Sequence, residues 1–354
     1  MVAAGEERGG IAVAIDGEIV VDVAGGAADP ASGADWQPDT LACCFSVTKG
    51  VLSILAHRLI DKGVFELGMP VASYWPEFAQ AGKADITVLD VLTHRAGLPA
   101  VSVPVRPGSL YDWDVMTGML AASQPVVPPR GNPVYHNMTY GHLLGETMRR
   151  AASATSLTSL LTAELLGPLG ADFALGMTSG QAERAARITQ ETGRQPLDGI
   201  DFGSDDLFQR SMRFFSADED FNSPQWRAAA IGSGSGHGTA KSIALIFGQL
   251  VGRSSLLTPD RQLAARAEQA SSDGCDPVMS IPIRYGQGLE LSGPPWLDFG
   301  PNSTSVGHWG AGGAIGFADP SPRLSFGYVT ASMAPGFGSS PRSRRLVEAL
   351  YRCL

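Results

Sequence analysis

Strand signals in this chain are confined to its two ends, and no other feature of the sequence restricts the fold as much. Residues 11–15 and 18–23 are two short β-rich runs. Asp16-Gly17 separates them, a dipeptide suited to a two-residue turn, so the chain opens on an antiparallel hairpin. Strand signals return only at 285–291, 314–318 and 324–331. From 66 to 235, short helical pieces (86–93, 140–151 and 156–166) alternate with loops at 104–107 and 125–133. Residues 204–216 and 217–224 read as irregular, polar segments placed to cover a cleft. Helices are expected at 46–62, 241–251 and 341–353. In the first of these, Val47, Val51, Ile54, Leu55, Leu59 and Ile60 recur at three- and four-residue intervals, and Gly63 stands where a left-handed cap belongs. The reading is one sheet domain built from 1–65 and 236–354, with 66–235 inserted as a mainly helical domain. Strands and helices do not alternate, which argues against a doubly wound parallel sheet.

Composition narrows the function classes. With 44% hydrophobic and 17% charged residues over 354 positions, the chain has material for a large core and is not disordered. Lys+Arg 26 against Asp+Glu 35 gives a net charge of −9, so a nucleic-acid partner is not expected. No apolar run is long enough to span a membrane, so no membrane partner is expected either. The stretch MVAAGEERGG lacks the layout of a secretory signal. Cys43, Cys44, Cys275 and Cys353 show no C-x-x-C spacing and read as free thiols, consistent with a cytoplasmic protein. His136 and His142 are six apart, and H-E-x-x-H is absent, so no metal site is expected. No serine sits in G-x-S-x-G, which argues against an α/β-hydrolase elbow. Oligomeric state is left open.

Three short stretches carry candidate chemistry. In Phe45-Ser46-Val47-Thr48-Lys49-Gly50, the three-residue spacing puts Ser46 and Lys49 on one helix face. A serine hydroxyl needs a base to become a nucleophile, and a lysine is a base only when burial keeps it neutral. The plain alternative is Ser46 as a helix cap with Lys49 solvated. The apolar flanks weigh against that, as does Gly50, which suggests close packing inside a helix. In Pro133-Val134-Tyr135-His136-Asn137, Tyr135 is a candidate general acid or base, if a nearby cation lowers its pKa, and Asn137 a candidate donor to a substrate carbonyl. The alternative is a turn with Asn137 as cap and Tyr135 packed beneath it. In Gly307-His308-Trp309-Gly310-Ala311-Gly312-Gly313, glycines allow close approach to a backbone N–H, and His308 is a candidate for orienting substrate. The alternative is a Gly-rich turn bearing a surface histidine. Gly232-Ser233-Gly234-Ser235-Gly236-His237-Gly238 fails both G-x-G-x-x-G and the P-loop pattern, and reads as a flexible hinge.

Taken in order, Ser46-x-x-Lys49, Tyr135-x-Asn137 and the Gly-rich stretch at 308 resemble the serine β-lactamase and penicillin-binding superfamily. Tyr74-Trp75-Pro76-Glu77-Phe78, Leu92-Thr93-His94-Arg95-Ala96-Gly97-Leu98 and Gly141-His142-Leu143-Leu144-Gly145-Glu146 make the text most similar to the family VIII carboxylesterases, esterases with the class C β-lactamase fold. The resemblance covers nearly the whole chain and is weakest from 170 to 275. It implies an α+β fold, an antiparallel sheet from both termini flanked by helices, with the site in the cleft beside the helical insertion. It implies Ser46 as acylated nucleophile, with Lys49 and Tyr135 sharing the proton transfers. The oxyanion is then held by the N–H groups of Ser46 and Ala311, or of Gly312 in a shifted register. Substrate contacts fall to Asn137, His308, Trp309 and Gly310. Where β-lactamases of this fold carry Lys-Thr-Gly, this chain has His308-Trp309-Gly310, and the lost cation favours neutral esters over penicillins. The expected activity is hydrolysis of small carboxylic esters through an acyl-enzyme, with a small-molecule acyl substrate and no cofactor. The alternatives are acyl transfer to an acceptor other than water, and β-lactam or D-amino peptide hydrolysis.

Overall fold

The computed structural model describes residues 8–191, 205–216, 218–336 and 338–354. Ser204 and Ala217, which begin the two segments expected to be irregular, lie outside the described residues, as do residues 1–7 of the stretch read for a leader.

The hairpin forms as its turn predicts. Asp16 and Gly17 both take positive φ, 51° and 88°, the mirror-image turn that matches strand twist. Its strands Gly9–Ile15 and Glu18–Gly25 pair antiparallel, and Gly9–Ile15 pairs on its other side with Leu324–Thr330 from the far end of the chain. An eight-stranded antiparallel sheet follows in the order Glu18–Gly25, Gly9–Ile15, Leu324–Thr330, Ile315–Asp319, Val306–Trp309, Glu290–Leu291, Arg284–Tyr285, Ala270–Ser271. Period-two alternation sends neighbouring residues to opposite cores. Ala12 packs with the helices Val47–Asp61 and Ala240–Phe247, whereas Val13 joins Phe317, Phe326 and the terminal helix Pro341–Tyr351. Helices on both faces of an antiparallel sheet make this an α+β fold.

The first helix, Val47–Asp61, is buried on nearly every side, so it is a central helix rather than an amphipathic surface one. Gly63 ends it at φ 68°, donating its N–H to Ile60 O at 2.9 Å. Gly50 has the packing role its position suggests: a Cβ there meets Phe247 at 2.6 Å and the His308 Cβ at 3.1 Å. Between the two strand-bearing ends the chain forms the helices Val88–Leu92, Trp113–Ala122, Tyr140–Ala151 and Leu157–Leu161.

The structure corrects several expectations. Residues 285–291 are not one strand but a hairpin, Arg284–Tyr285 and Glu290–Leu291, turning at Gly286 to Gly288. His308 and Trp309 precede the strand Ile315–Asp319 and also end a strand of their own, Val306–Trp309, which is interior to the sheet. Gly232 to Gly238 is no hinge. It is buried throughout, and Gly236–Gly238 is the middle strand of a small sheet between Ala42–Cys43 and Phe173–Leu175. The segment expected to be irregular contains a helix, Leu207–Met212, capped by the Asp206 carboxylate. Thr139, not Asn137, is the residue that begins Tyr140–Ala151.

Candidate active site

Three distant pieces of chain converge on Ser46. Phe45 precedes it at φ 44°, a left-handed conformation that a bulky residue adopts only under constraint. The Phe45 ring meets Phe221 at 5.4 Å and Trp226 at 6.2 Å, which pins that bend. Ser46 then begins the central helix, and one turn later the Lys49 ammonium nitrogen lies 2.9 Å from Ser46 Oγ. Lys49 is fully buried, and its Nζ also donates to Ser233 O at 2.8 Å. Burial lowers its pKa from 10.5 to about 7, partly offset by the Glu290 carboxylate.

Ser233 was not singled out by sequence reasoning. Its hydroxyl accepts from Gly141 N–H at 2.7 Å and donates to Met138 O at 2.9 Å, so one residue ties Lys49 to the start of Tyr140–Ala151. A Cβ on Gly141 meets the Gly232–Ser233 backbone at 2.3 Å, which explains a glycine in that helix.

Tyr135 is buried with its ring centroid 4.9 Å from Lys49 Nζ. Its N–H donates to Asp276 Oδ2 at 2.7 Å, and its ring stacks on His94 at 5.1 Å. His94 in turn accepts from His136 N–H at 2.9 Å, so the Leu92 to Leu98 motif builds the bed on which Tyr135 rests. The expectation that a cation lowers the Tyr135 pKa is corrected. Burial, followed by Glu290, drives it well above 10, and the nearby Ser46 hydroxyl only partly opposes this. The phenol is therefore protonated and suited to donate, whereas Lys49 is the group able to accept a proton near neutrality.

The strand Val306–Trp309 supplies the third wall. His308 is buried, not a surface residue, and its ring lies 6.2 Å from that of Tyr135. Its Nδ1 contacts Trp309 O at 2.7 Å, which fixes that nitrogen as the donor. Burial, then Lys49, lowers its pKa to about 3, so it is neutral. Gly310 brings the backbone against the turn before Ser46: a Cβ there stands 2.2 Å from Cys44 O. Ala311 follows, partly buried beside this contact. Trp309 is buried in the cluster that also holds Tyr135. Asn137 is half-buried, and its amide donates to Met212 Sδ at 3.0 Å and Ser211 Oγ at 3.4 Å. The structure thus brings Ser46, Lys49, Tyr135 and His308 together and turns the Asn137 amide to the helix Leu207–Met212. It adds Glu290, fully buried, with Oε1 3.7 Å from His308 Nε2. Asp276 and Glu290 gave no sequence signal, because neither belongs to a spaced motif.

The Beta-lactamase family model matches residues 2–351. The chain belongs to the Beta-lactamase family. It is 30% identical over 337 residues to the esterase/beta-lactamase LipL of Mycobacterium tuberculosis (strain ATCC 25618 / H37Rv), across 91% of this chain and 76% of LipL. A family VIII carboxylesterase crystal structure superposes with a TM-score of 0.89 at 33% identity, covering 99% of this chain and 93% of that one. A penicillin-binding protein homologue from Caulobacter crescentus superposes with a TM-score of 0.87 at 35% identity, covering 100% of this chain and 94% of that one. Among the described residues of this Beta-lactamase family chain, no helix is long and apolar enough to cross a membrane.

Proposed function

We propose that the chain is a serine hydrolase that cleaves small carboxylic esters through an acyl-enzyme on Ser46. The observation that carries this is the fully buried Lys49 Nζ, 2.9 Å from Ser46 Oγ and with its pKa lowered to about 7. Neutral Lys49 takes the Ser46 proton as Oγ bonds to the ester carbon. The oxyanion rests on the N–H groups of Ser46 and Ala311. As the tetrahedral intermediate collapses, the Tyr135 phenol gives its proton to the departing alkoxide and recovers one from the Lys49 ammonium. Water then attacks the acyl-enzyme by the same proton path, and Ser46 is restored. Asn137 borders the acyl group from the side of Met212. The esterase names of LipL and of the family VIII structure support the ester reading. Neutral, buried His308 supports it too, since it offers no cation to hold the carboxylate of a β-lactam.

Short p-nitrophenyl esters test the proposal. A rapid burst followed by steady turnover, both lost in Ser46→Ala, is the expected result. Nitrocefin turnover at a comparable rate overturns the substrate assignment. Product that forms only with an added amine or alcohol moves the reaction to acyl transfer.

A further inference from the structure

The chain has a net charge of −9, yet at one end of its large sheet it gathers three arginines around a cleft of about 460 Å³. Four parts of the chain meet there. Asp16 lies in the opening hairpin turn, Gly252 and Arg253 follow the short helix Gly248–Leu250, Arg266 ends the helix Pro259–Arg266, and Pro320 and Arg323 join the strands Ile315–Asp319 and Leu324–Thr330. This is the end of the sheet away from the candidate active site. Ile315 pairs with Trp309 beside that site, whereas Asp319 pairs with Leu324 at the cleft end, one strand length away.

One carboxylate, Asp16, lines the cleft. Its Oδ2 lies 3.7 Å from Arg253 Nε, and its Oδ1 lies 3.5 Å from Arg323 Nε. A single acid shared by two guanidiniums neutralises only one of them. Gly252 permits this arrangement: at φ 60°, a Cβ there stands 2.8 Å from Asp16 Oδ1 and 3.4 Å from Arg323 Cβ. Arg266 is half-buried. Its Nε donates to Gln262 O at 3.1 Å, and it makes no ion pair among the described residues. Burial works against its charge, and Asp319 opposes this only through space, because the Asp319 oxygens already accept from Tyr351, Asn302 and Ser321. Three cations against one anion leave the cleft with two positive charges in excess.

We propose that this cleft binds a phosphate dianion, free or as the head of a phosphate monoester. The charge excess matches a dianion, and the planar guanidinium fork meets phosphate oxygens two at a time. The cleft has the size of a small-molecule site, roughly 300–1,000 Å³, and Val251 and Pro320 give it an apolar wall for an organic body. The reading is independent of what Ser46 does.

Isothermal titration calorimetry of the full chain at low ionic strength tests it, with inorganic phosphate and glycerol 3-phosphate as probes. The expected result is one site per chain, with a Kd below about 10 mM for at least one probe. Arg266→Gln and Arg323→Gln each weaken binding by about tenfold or more, whereas Arg106→Gln, at an exposed arginine outside the cleft, leaves it within about twofold. Tighter binding of the monoester places its organic body on the Val251 and Pro320 wall, and equal binding makes free phosphate the ligand; both uphold the site. An absence of saturable heat up to about 10 mM overturns it. So does binding that both cleft variants leave unchanged, or that Arg106→Gln weakens as much as they do. If neither cleft variant folds, phenylglyoxal modification of the unsubstituted protein decides. Protection of Arg253, Arg266 and Arg323 by saturating probe, read by mass spectrometry, supports the proposal, and equal modification with and without probe overturns it.

Discussion

Lys49 governs how the candidate site responds to pH. It is neutral above about 7 and protonated below, so kcat/KM rises with pH through about 7 and falls about tenfold per unit on the acid side. Tyr135, held protonated, adds no alkaline limb below its ordinary value of 10. A profile whose acid limb lies near an ordinary carboxylate pKa assigns the base elsewhere. Lys49→Ala is expected to lower kcat by about a hundred- to ten-thousandfold, and Tyr135→Phe by about ten- to a hundredfold, in stopped-flow ester hydrolysis. Rates within a few-fold of wild type for both variants sink the proton path. The Ser46–Lys49 pair was legible in the sequence because three residues of helix fix it locally. The ionisation of Tyr135 was not, because Glu290 and Asp276, which set it along with burial, are more than a hundred residues away in the chain.

The elements show the same division between local and distant causes. Asp16-Gly17 and Gly63 encode a turn and a cap within their own few residues, and both formed as expected. Val306–Trp309 escaped notice because four residues bearing a glycine and a histidine carry too little β signal; neighbours on both sides make it a strand. Gly236–Gly238 likewise looks flexible alone, yet a Cβ on Gly236 meets Phe173 and Thr48 at 2.4 Å, so the glycines there serve close packing. The strand end at Gly310 yields a prediction at this scale. A methyl there collides with Cys44 O, two residues before Ser46, and neither side is a flexible side chain. Gly310→Ala therefore parts the strand from the nucleophile turn. A displacement of about 1 Å is expected to cost roughly a hundredfold in kcat, with about 1–3 kcal/mol of stability from overpacking. Unchanged kcat alongside wild-type thermal unfolding places the oxyanion contact away from this strand.

Across the whole molecule, all six histidines are buried, none more than 2% exposed. Several spend one N–H on a backbone carbonyl: His57 on Gln287, His136 on Val134, His237 on Ser235 and His308 on Trp309. A second proton on any of them is an unpaired charge in the interior. Burial accordingly lowers His57, His136, His142 and His237 from 6.5 to about 4, His308 to about 3, and His94 well below its ordinary value. The folded pKa of each lies below the unfolded one, so the unfolded chain binds more protons and stability falls as pH drops below 6.5. A shift from 6.5 to about 4 is worth about 3 kcal/mol for a fully buried histidine, an order-of-magnitude figure. Glu290 acts in the opposite sense, because its raised pKa makes the folded state hold a proton that the unfolded one releases. Six histidines less that one proton leave an uptake of about five protons on unfolding near pH 5. Calorimetry in buffers of different ionisation enthalpy measures this directly. Unfolding temperatures that decline steeply between pH 6.5 and 5, with uptake near five, are expected; a flat profile with uptake below about two means the histidines are charged or solvated in the folded protein.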